Sequence, residues 1–233
     1  MLGQQGREKL QSLNFRLSSY IPHKPTPKQL AFLLTEAEEA MYGGAAGGGK
    51  SDALLMGALQ YVDQPGYASL ILRRSYADLS KSEALIPRSL EWLGAREAHW
   101  NSGQKVWTFP SGSTMEFGYL ARDLDVYQYA SAAYQYIGFD EVTQFQEFQY
   151  KFMFSRLRRP KGSTIPLRMR SASNPGGIGH EWVKERFLDK GLEMGRVFIP
   201  ALLQDNPYLD QESYIRSLGN LDPITLKRLL EGD

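Results

Sequence analysis

The sequence predicts an α/β fold: a mainly parallel central sheet flanked by helices, with an inserted β-hairpin. Three observations predict it. A short apolar run, Ala40-Met41-Tyr42, leads through a glycine-rich loop into a helical pattern at 51–62. A second mostly apolar run, residues 134–139, ends in Asp140-Glu141. Between them lie two alternating segments, 105–109 and 113–119, joined by the turn Pro110-Ser111-Gly112.

The bulk composition sets limits. The chain has 233 residues, enough for one large domain, or a domain with an appendage. Hydrophobic residues make up 42% and charged residues 23%, an ordinary globular mix. A net charge of +1 gives no global case for a nucleic-acid binder, so any such surface must be local. With no cysteine, disulfides, thiol catalysis and zinc–thiolate clusters are excluded. His23, His99 and His180 are far apart in sequence and read as surface or satisfied polar residues. The N-terminus has no apolar core of signal-peptide length, and no apolar run approaches a membrane span. A soluble intracellular protein is the expectation.

Residues 1–22 read as a polar arm or a short helix lying on the domain. A helix follows, with Thr26 as N-cap, Pro27 at its first position and Gln29 closing a capping box. Gln29 has a second reading: its amide offers both a donor and an acceptor to an adenine edge.

The loop Gly44-Ala45-Ala46-Gly47-Gly48-Gly49-Lys50-Ser51 matches the P-loop pattern. The glycines permit positive φ and close backbone approach, so that successive N–H groups can face phosphate oxygens. The following helix, which begins at Ser51-Asp52, adds its free N–H groups and positive dipole end. Lys50 would bring charge to the β/γ-phosphates, and Ser51 a hydroxyl ligand for Mg²⁺. Leu54, Leu55, Ala58, Leu59 and Val62 fall on one helix face, and Pro65-Gly66 stops it.

Residues 67–74 form an apolar strand ending in Arg73-Arg74. Ligands of parallel sheets lie beyond such strand ends. This places both arginines near a nucleotide or a neighbouring subunit; a solvated strand end is the alternative. Residues 75–92 read as one helix, and 121–133 as a polar connector. The strand ending in Asp140-Glu141 has the Walker B form. Asp140 would hold Mg²⁺, and Glu141 would orient and deprotonate the attacking water.

Residues 151–170 carry Lys151, Arg156, Arg158, Arg159, Lys161, Arg168 and Arg170 without an acidic residue. A solvated face, a DNA-backbone contact and an arginine finger are all open readings of this run. A strand at 166–172 leads into Ser173-Asn174-Pro175-Gly176-Gly177. There Asn174 either hydrogen-bonds a water or a γ-phosphate oxygen, or forms a plain Asn-Pro turn. A helix at 181–188, a strand at 196–200 and a last helix opened by Asp222-Pro223 complete the reading.

Taken together and in this order, these pieces resemble the large terminase subunit of tailed bacteriophages. Ile71-Leu72-Arg73-Arg74-Ser75-Tyr76, His180-Glu181-Trp182 and Asp205-Asn206-Pro207 add to the likeness, which covers residues 24–233. The resemblance implies a P-loop NTPase of the additional-strand, catalytic-glutamate (ASCE) type that threads double-stranded viral DNA through a portal protein into a procapsid. It implies ATP and Mg²⁺ as cofactors. Lys50 and Ser51 would lie on the triphosphate and Mg²⁺, with Asp140 on Mg²⁺, Glu141 as base and Asn174 in a coupling loop. Its implied partners are a small terminase subunit and four further copies in a ring, docked on the procapsid in the host cytoplasm.

Two departures from the family pattern stand out. The nuclease domain that follows in the family is absent from residues 24–233. Tyr127-Gln128-Tyr129-Ala130-Ser131 occupies the stretch where some relatives carry an arginine finger, which leaves Arg73, Arg74, Arg122 and Arg158 as candidates. Another DNA-remodelling ATPase and a non-catalytic nucleotide-binding scaffold are the alternatives.

Overall fold

The computed structural model describes residues 18–219 together with 221, 222, 226 and 229. The expected N-terminal arm falls mostly outside these residues, as does Pro223, while the Asp222 carbonyl accepts from Leu226 N at 2.9 Å where the last helix is expected to open. Tyr20 and Ile21, at the end of the arm, pack against the core.

An eight-stranded sheet organises the domain, in the order β3-β4-β5-β2-β6-β7-β1-β8. Its strands are β1 (Glu39–Gly44), β2 (Ala68–Arg73), β3 (His99–Asn101), β4 (Val106–Thr108), β5 (Thr114–Tyr119), β6 (Tyr136–Asp140), β7 (Arg168–Ser173) and β8 (Val197–Ala201). From β5 to β8 every neighbouring pair is parallel, while β3 and β4 extend one edge antiparallel. The expected hairpin is therefore β4–β5, widened to a three-stranded meander by β3.

The central strands are buried on both faces because helices cover both. Ile71 of β2 points into one core with Leu55, Met56 and Leu59; its neighbours Leu70 and Leu72 point into the other with Ile137 and Phe139. The helices α1 (Pro27–Leu34), α2 (Lys50–Leu59), α3 (Tyr76–Ser80) and α4 (Leu85–Leu93) precede the meander. After it come α5 (Glu147–Phe154), α6 (His180–Lys184) and α7 (Gln211–Leu218). Gly57 is required within α2: a Cβ there would lie 2.7 Å from the Tyr136 hydroxyl, which donates to the Leu54 carbonyl at 2.8 Å.

The single helix expected at 75–92 is broken into α3 and α4. Ser75 caps α3, and the chain turns through Glu83 at φ 61°. The polar connector holds a 3-10 helix, Asp123–Tyr129. Among the described residues, no helix is long and apolar enough to cross a membrane.

The basic run does not form one patch. Arg168 and Arg170 belong to β7 and are buried. Arg168 donates to the Leu33 carbonyl at 2.9 Å and to Gln60 Oε1 at 2.7 Å. Arg170 donates to the carbonyls of Thr35, Ala37 and Glu38. These two arginines fasten the carboxyl end of α1 to the sheet, which removes them from any DNA-facing or finger role. Arg156 bonds the Ala130 carbonyl, Arg158 the Ala132 carbonyl at 2.7 Å and Arg159 the Ile165 carbonyl at 2.7 Å, while Lys151 pairs with Glu147 at 2.7 Å.

Candidate active site

β7 lies between β1 and β6 in the sheet. The loop after β1, Asp140-Glu141 at the end of β6 and Ser173-Asn174 at the end of β7 therefore open on the same sheet edge. The loop, Glu141 and Asn174 line a cleft of about 540 Å³ with Asp52, Arg88, Asn206 and Tyr208.

Three side chains hold carbonyls of the P-loop. The Gly47 carbonyl accepts from Asn206 Nδ2 at 2.7 Å, the Gly48 carbonyl from the Tyr42 hydroxyl at 2.8 Å, and the Gly49 carbonyl from Gln29 Nε2 at 2.9 Å. A peptide plane fixes its N–H opposite its C=O. The N–H groups of Gly49 and Lys50 are thereby turned away from Tyr42 and Gln29. Gly49, at φ 74°, is the N-cap of α2. Upstream, Ala45 N donates to the Ala201 carbonyl at 2.8 Å, and a Cβ on Gly44 would lie 2.6 Å from that oxygen. Ala46 N donates to the Leu229 carbonyl at 2.7 Å.

Gln29 is 1% exposed, and both ends of its amide are engaged within the protein. Its Oε1 accepts from Thr26 N at 2.9 Å, completing the capping box, and its Nε2 reaches Gly49. Its capping role is realised, and support of the loop is added to it.

Lys50 is buried, and its ammonium donates to the Ala45 carbonyl. Burial pulls its pKa down to about 8, against the raising influence of Glu141 and Asp140. Ser51 Oγ donates to Asp140 Oδ1 at 3.2 Å, and Arg73 pairs with Asp140 Oδ2. Asp52 pairs with Arg88 and, at 3.3 Å, with His23.

Glu141 sits at φ 56° and ψ 55°, a left-handed conformation uncommon for a residue with a side chain. Burial raises its pKa, and the adjacent Asp140 adds to the shift. Its carboxylate accepts from Ser173 Oγ at 3.2 Å, and Ser173 Oγ is 2.7 Å from Thr143 Oγ1. Asn174 lines the cleft, and its side-chain oxygen is buried without a protein partner.

Most of the residues picked from sequence converge here, but Arg74, Arg122 and Arg158 do not. Arg74 is drawn away, donating to the Leu120 carbonyl at 3.0 Å and to Gln149 Oε1 at 3.3 Å. Only Arg73 of the pair reaches the carboxylates. Arg122 is 85% exposed and faces Asp125 at 3.7 Å. Tyr42 and Thr143 escape the sequence reading, which takes Ser173 only as part of the loop at 173–177. Tyr42 looks like an ordinary core residue of a strand, and the two hydroxyls carry no pattern of their own.

Six strands in parallel, a strand between the P-loop strand and the Asp-Glu strand, and a glutamate facing the loop define a P-loop NTPase of the ASCE class. The sequence profile of the family described as phage terminase large subunit matches residues 36–229. The chain belongs to the phage terminase large subunit family. No curated protein sequence matches it.

Solved structures of the same fold include the large terminase of a thermophilic bacteriophage in complex with ADP. It is 19% identical with a TM-score of 0.67, over 88% of this chain and 52% of that one. The large terminase ATPase domain of Thermus phage P74-26 is 15% identical with a TM-score of 0.65, over 94% of this chain and 98% of that one. The large terminase of bacteriophage HK97 is 12% identical with a TM-score of 0.64, over 93% of this chain and 54% of that one. The chain thus spans about half the length of the first-named terminase and nearly all of the isolated ATPase domain.

Proposed function

We propose that this chain is the ATPase domain of a phage DNA-packaging motor, coupling ATP hydrolysis to translocation of double-stranded DNA into a procapsid. The observation that carries the reading is the Ser51–Asp140 hydrogen bond at 3.2 Å, which joins the phosphate-binding loop to the carboxylate pair across the cleft. Family membership over residues 36–229 supports the motor, and ADP in a fold relative supports the nucleotide.

The donor set suits Mg²⁺: a hydroxyl and a buried carboxylate are the oxygen ligands such a cation takes. Ser51 and Asp140 would hold it, and when bound it neutralises charge on the phosphate oxygens. Lys50 turns from the Ala45 carbonyl to the β/γ-phosphates. Glu141 accepts a proton from the water attacking the γ-phosphate in line. Asn174 offers its free oxygen to that water or reports the state of the γ-phosphate. An arginine supplies the last positive charge, from Arg73 or from a neighbouring copy.

In this reading residues 24–233 are the motor domain, and the family's nuclease is a separate domain. Portal protein, small terminase subunit and a five-membered ring of this chain are the partners, engaged at the procapsid in the host cytoplasm. The test is steady-state ATP hydrolysis with and without duplex DNA, at concentrations high enough for assembly. Hydrolysis stimulated by DNA and lost in Lys50→Ala supports the motor. ATP binding without hydrolysis under every condition favours the scaffold.

A further inference from the structure

We propose that Arg73 is the counter-ion of Asp140 in the metal-free protein, and that its guanidinium and a divalent cation exchange for that one carboxylate. The inference rests on the nucleotide-site reading above and deepens it.

Asp140 has a side-chain exposure of 2%, and a carboxylate at that depth needs a positive partner. Ser51 Oγ holds Oδ1, and Arg73 Nη1 holds Oδ2. Ser51 and Asp140 are the oxygen donors that fit a cation, so Arg73 already stands on half of that site. Lys50, the other nearby cation, is turned to the Ala45 carbonyl.

The arginine is built to let go. Arg74 is held by two acceptors, and Arg170 by the carbonyls of Thr35, Ala37, Glu38 and Met169. Arg73 instead has its Nε buried without a partner, and 21% of its side chain opens to solvent. Asp140 is the guanidinium's one hydrogen-bonded partner among the described residues, with the Glu141 and Asp78 carboxylates near enough to feel its charge, and a dication competes for the Asp140 contact directly.

Arg73 ends β2, which runs beside β6 with Leu72 opposite Phe139. Side-chain rotation alone moves its charge off the carboxylate, towards the solvent that 21% of the side chain already meets. The exchange keeps the adjacent Asp140 and Glu141 compensated before the cation arrives and frees a guanidinium once it does.

The test uses Mn²⁺, which takes the same oxygen ligands as Mg²⁺ and is counted as free ion by electron paramagnetic resonance. Wild type, Arg73→Ala, Arg73→Lys and Asp140→Asn are titrated without nucleotide, and their melting temperatures are followed with and without Mn²⁺. Arg73→Ala is expected to bind Mn²⁺ about tenfold tighter than wild type, with Arg73→Lys between them. Its melting temperature should fall without metal and recover towards wild type with it. Unchanged or weaker Mn²⁺ affinity in Arg73→Ala, or a melting loss that Mn²⁺ does not restore, overturns the proposal. ADP binding on the same samples separates the two readings. Wild type that binds ADP with an Mn²⁺ dependence lost in Asp140→Asn keeps the nucleotide site, whatever Arg73 does. Wild type that binds no ADP removes the nucleotide site itself.

Discussion

Gln29 Nε2 donates to the Gly49 carbonyl at 2.9 Å, from a helix twenty residues upstream of the loop it holds. The same side chain caps its own helix through Thr26. One amide thus couples the start of α1 to the conformation of the phosphate-binding loop. Gln29→Ala should lower stability by about 1 kcal/mol, the usual size of a lost helix cap. It should also weaken ATP binding, because the Gly49–Lys50 peptide loses its anchor. Calorimetric titration and thermal melting together check this; a stability loss with unchanged ATP affinity would confine Gln29 to the cap.

Gly49 itself admits no side chain. Its φ is 74°, and an added Cβ would lie 2.7 Å from Gln29 Nε2. Gly49→Ala should cost on the order of 1–3 kcal/mol for the left-handed conformation and abolish measurable ATP binding. Thermal melting and nucleotide titration report the two effects separately.

Burial raises the pKa of Glu141, and the hydrolytic role needs its deprotonated form. The acid limb of the pH–rate profile should therefore lie above the ordinary carboxylate range. A raised folded pKa also means that Glu141 contributes stability below its unfolded pKa and loses that contribution as pH rises through the folded one. Glu141→Gln should melt higher than wild type at neutral pH, and the difference should close on acidification. Melting curves of the two proteins across this range provide the check.

Ser173 donates to Glu141 at 3.2 Å and counters the upward shift. Ser173→Ala should move the acid limb to still higher pH and reduce kcat by about tenfold, with ATP affinity retained. Thr143→Val, one hydroxyl further out, should shift the limb in the same direction by less. A parallel loss of ATP affinity in both variants would point to a packing defect instead.

Glu39 lies far from this chemistry and bears on stability. Burial pushes its carboxyl up, but Arg186 at 2.7 Å and Arg196 at 2.8 Å outweigh that and hold its pKa below the usual value. The stability it contributes is present above its unfolded pKa and is lost as pH falls through the folded one. Glu39→Gln should destabilise by about 1–3 kcal/mol at neutral pH, by leaving two partly buried guanidinium groups without a carboxylate. Denaturant titration at neutral and acid pH measures both the loss and its convergence.

The sequence made the cleft legible where chemistry constrains spacing. Glycines, Lys50-Ser51 and Asp140-Glu141 must occur in a fixed local order to bind phosphate and metal, so strings of adjacent residues carried the signal. The supporting contacts were not legible because they are long-range. Nothing near Tyr42 says that its hydroxyl meets Gly48, and nothing near Asn206 says that it meets Gly47. The arginines of β7 misled for a related reason: charge in a sequence reads as surface, whereas Arg168 and Arg170 satisfy carbonyls at the end of α1. The break between α3 and α4 depends on Glu83 adopting positive φ, which has no glycine to mark it.

The central claim is that Glu141 activates water in a cleft that binds ATP without it. ATP·Mg²⁺ affinity and steady-state hydrolysis, measured side by side for wild type and Glu141→Gln, test it most directly. The account predicts matching affinities and a fall in turnover of about 10²–10⁴-fold in the variant. Equal turnover in the two proteins, or binding by both and hydrolysis by neither at concentrations that allow assembly, would contradict it.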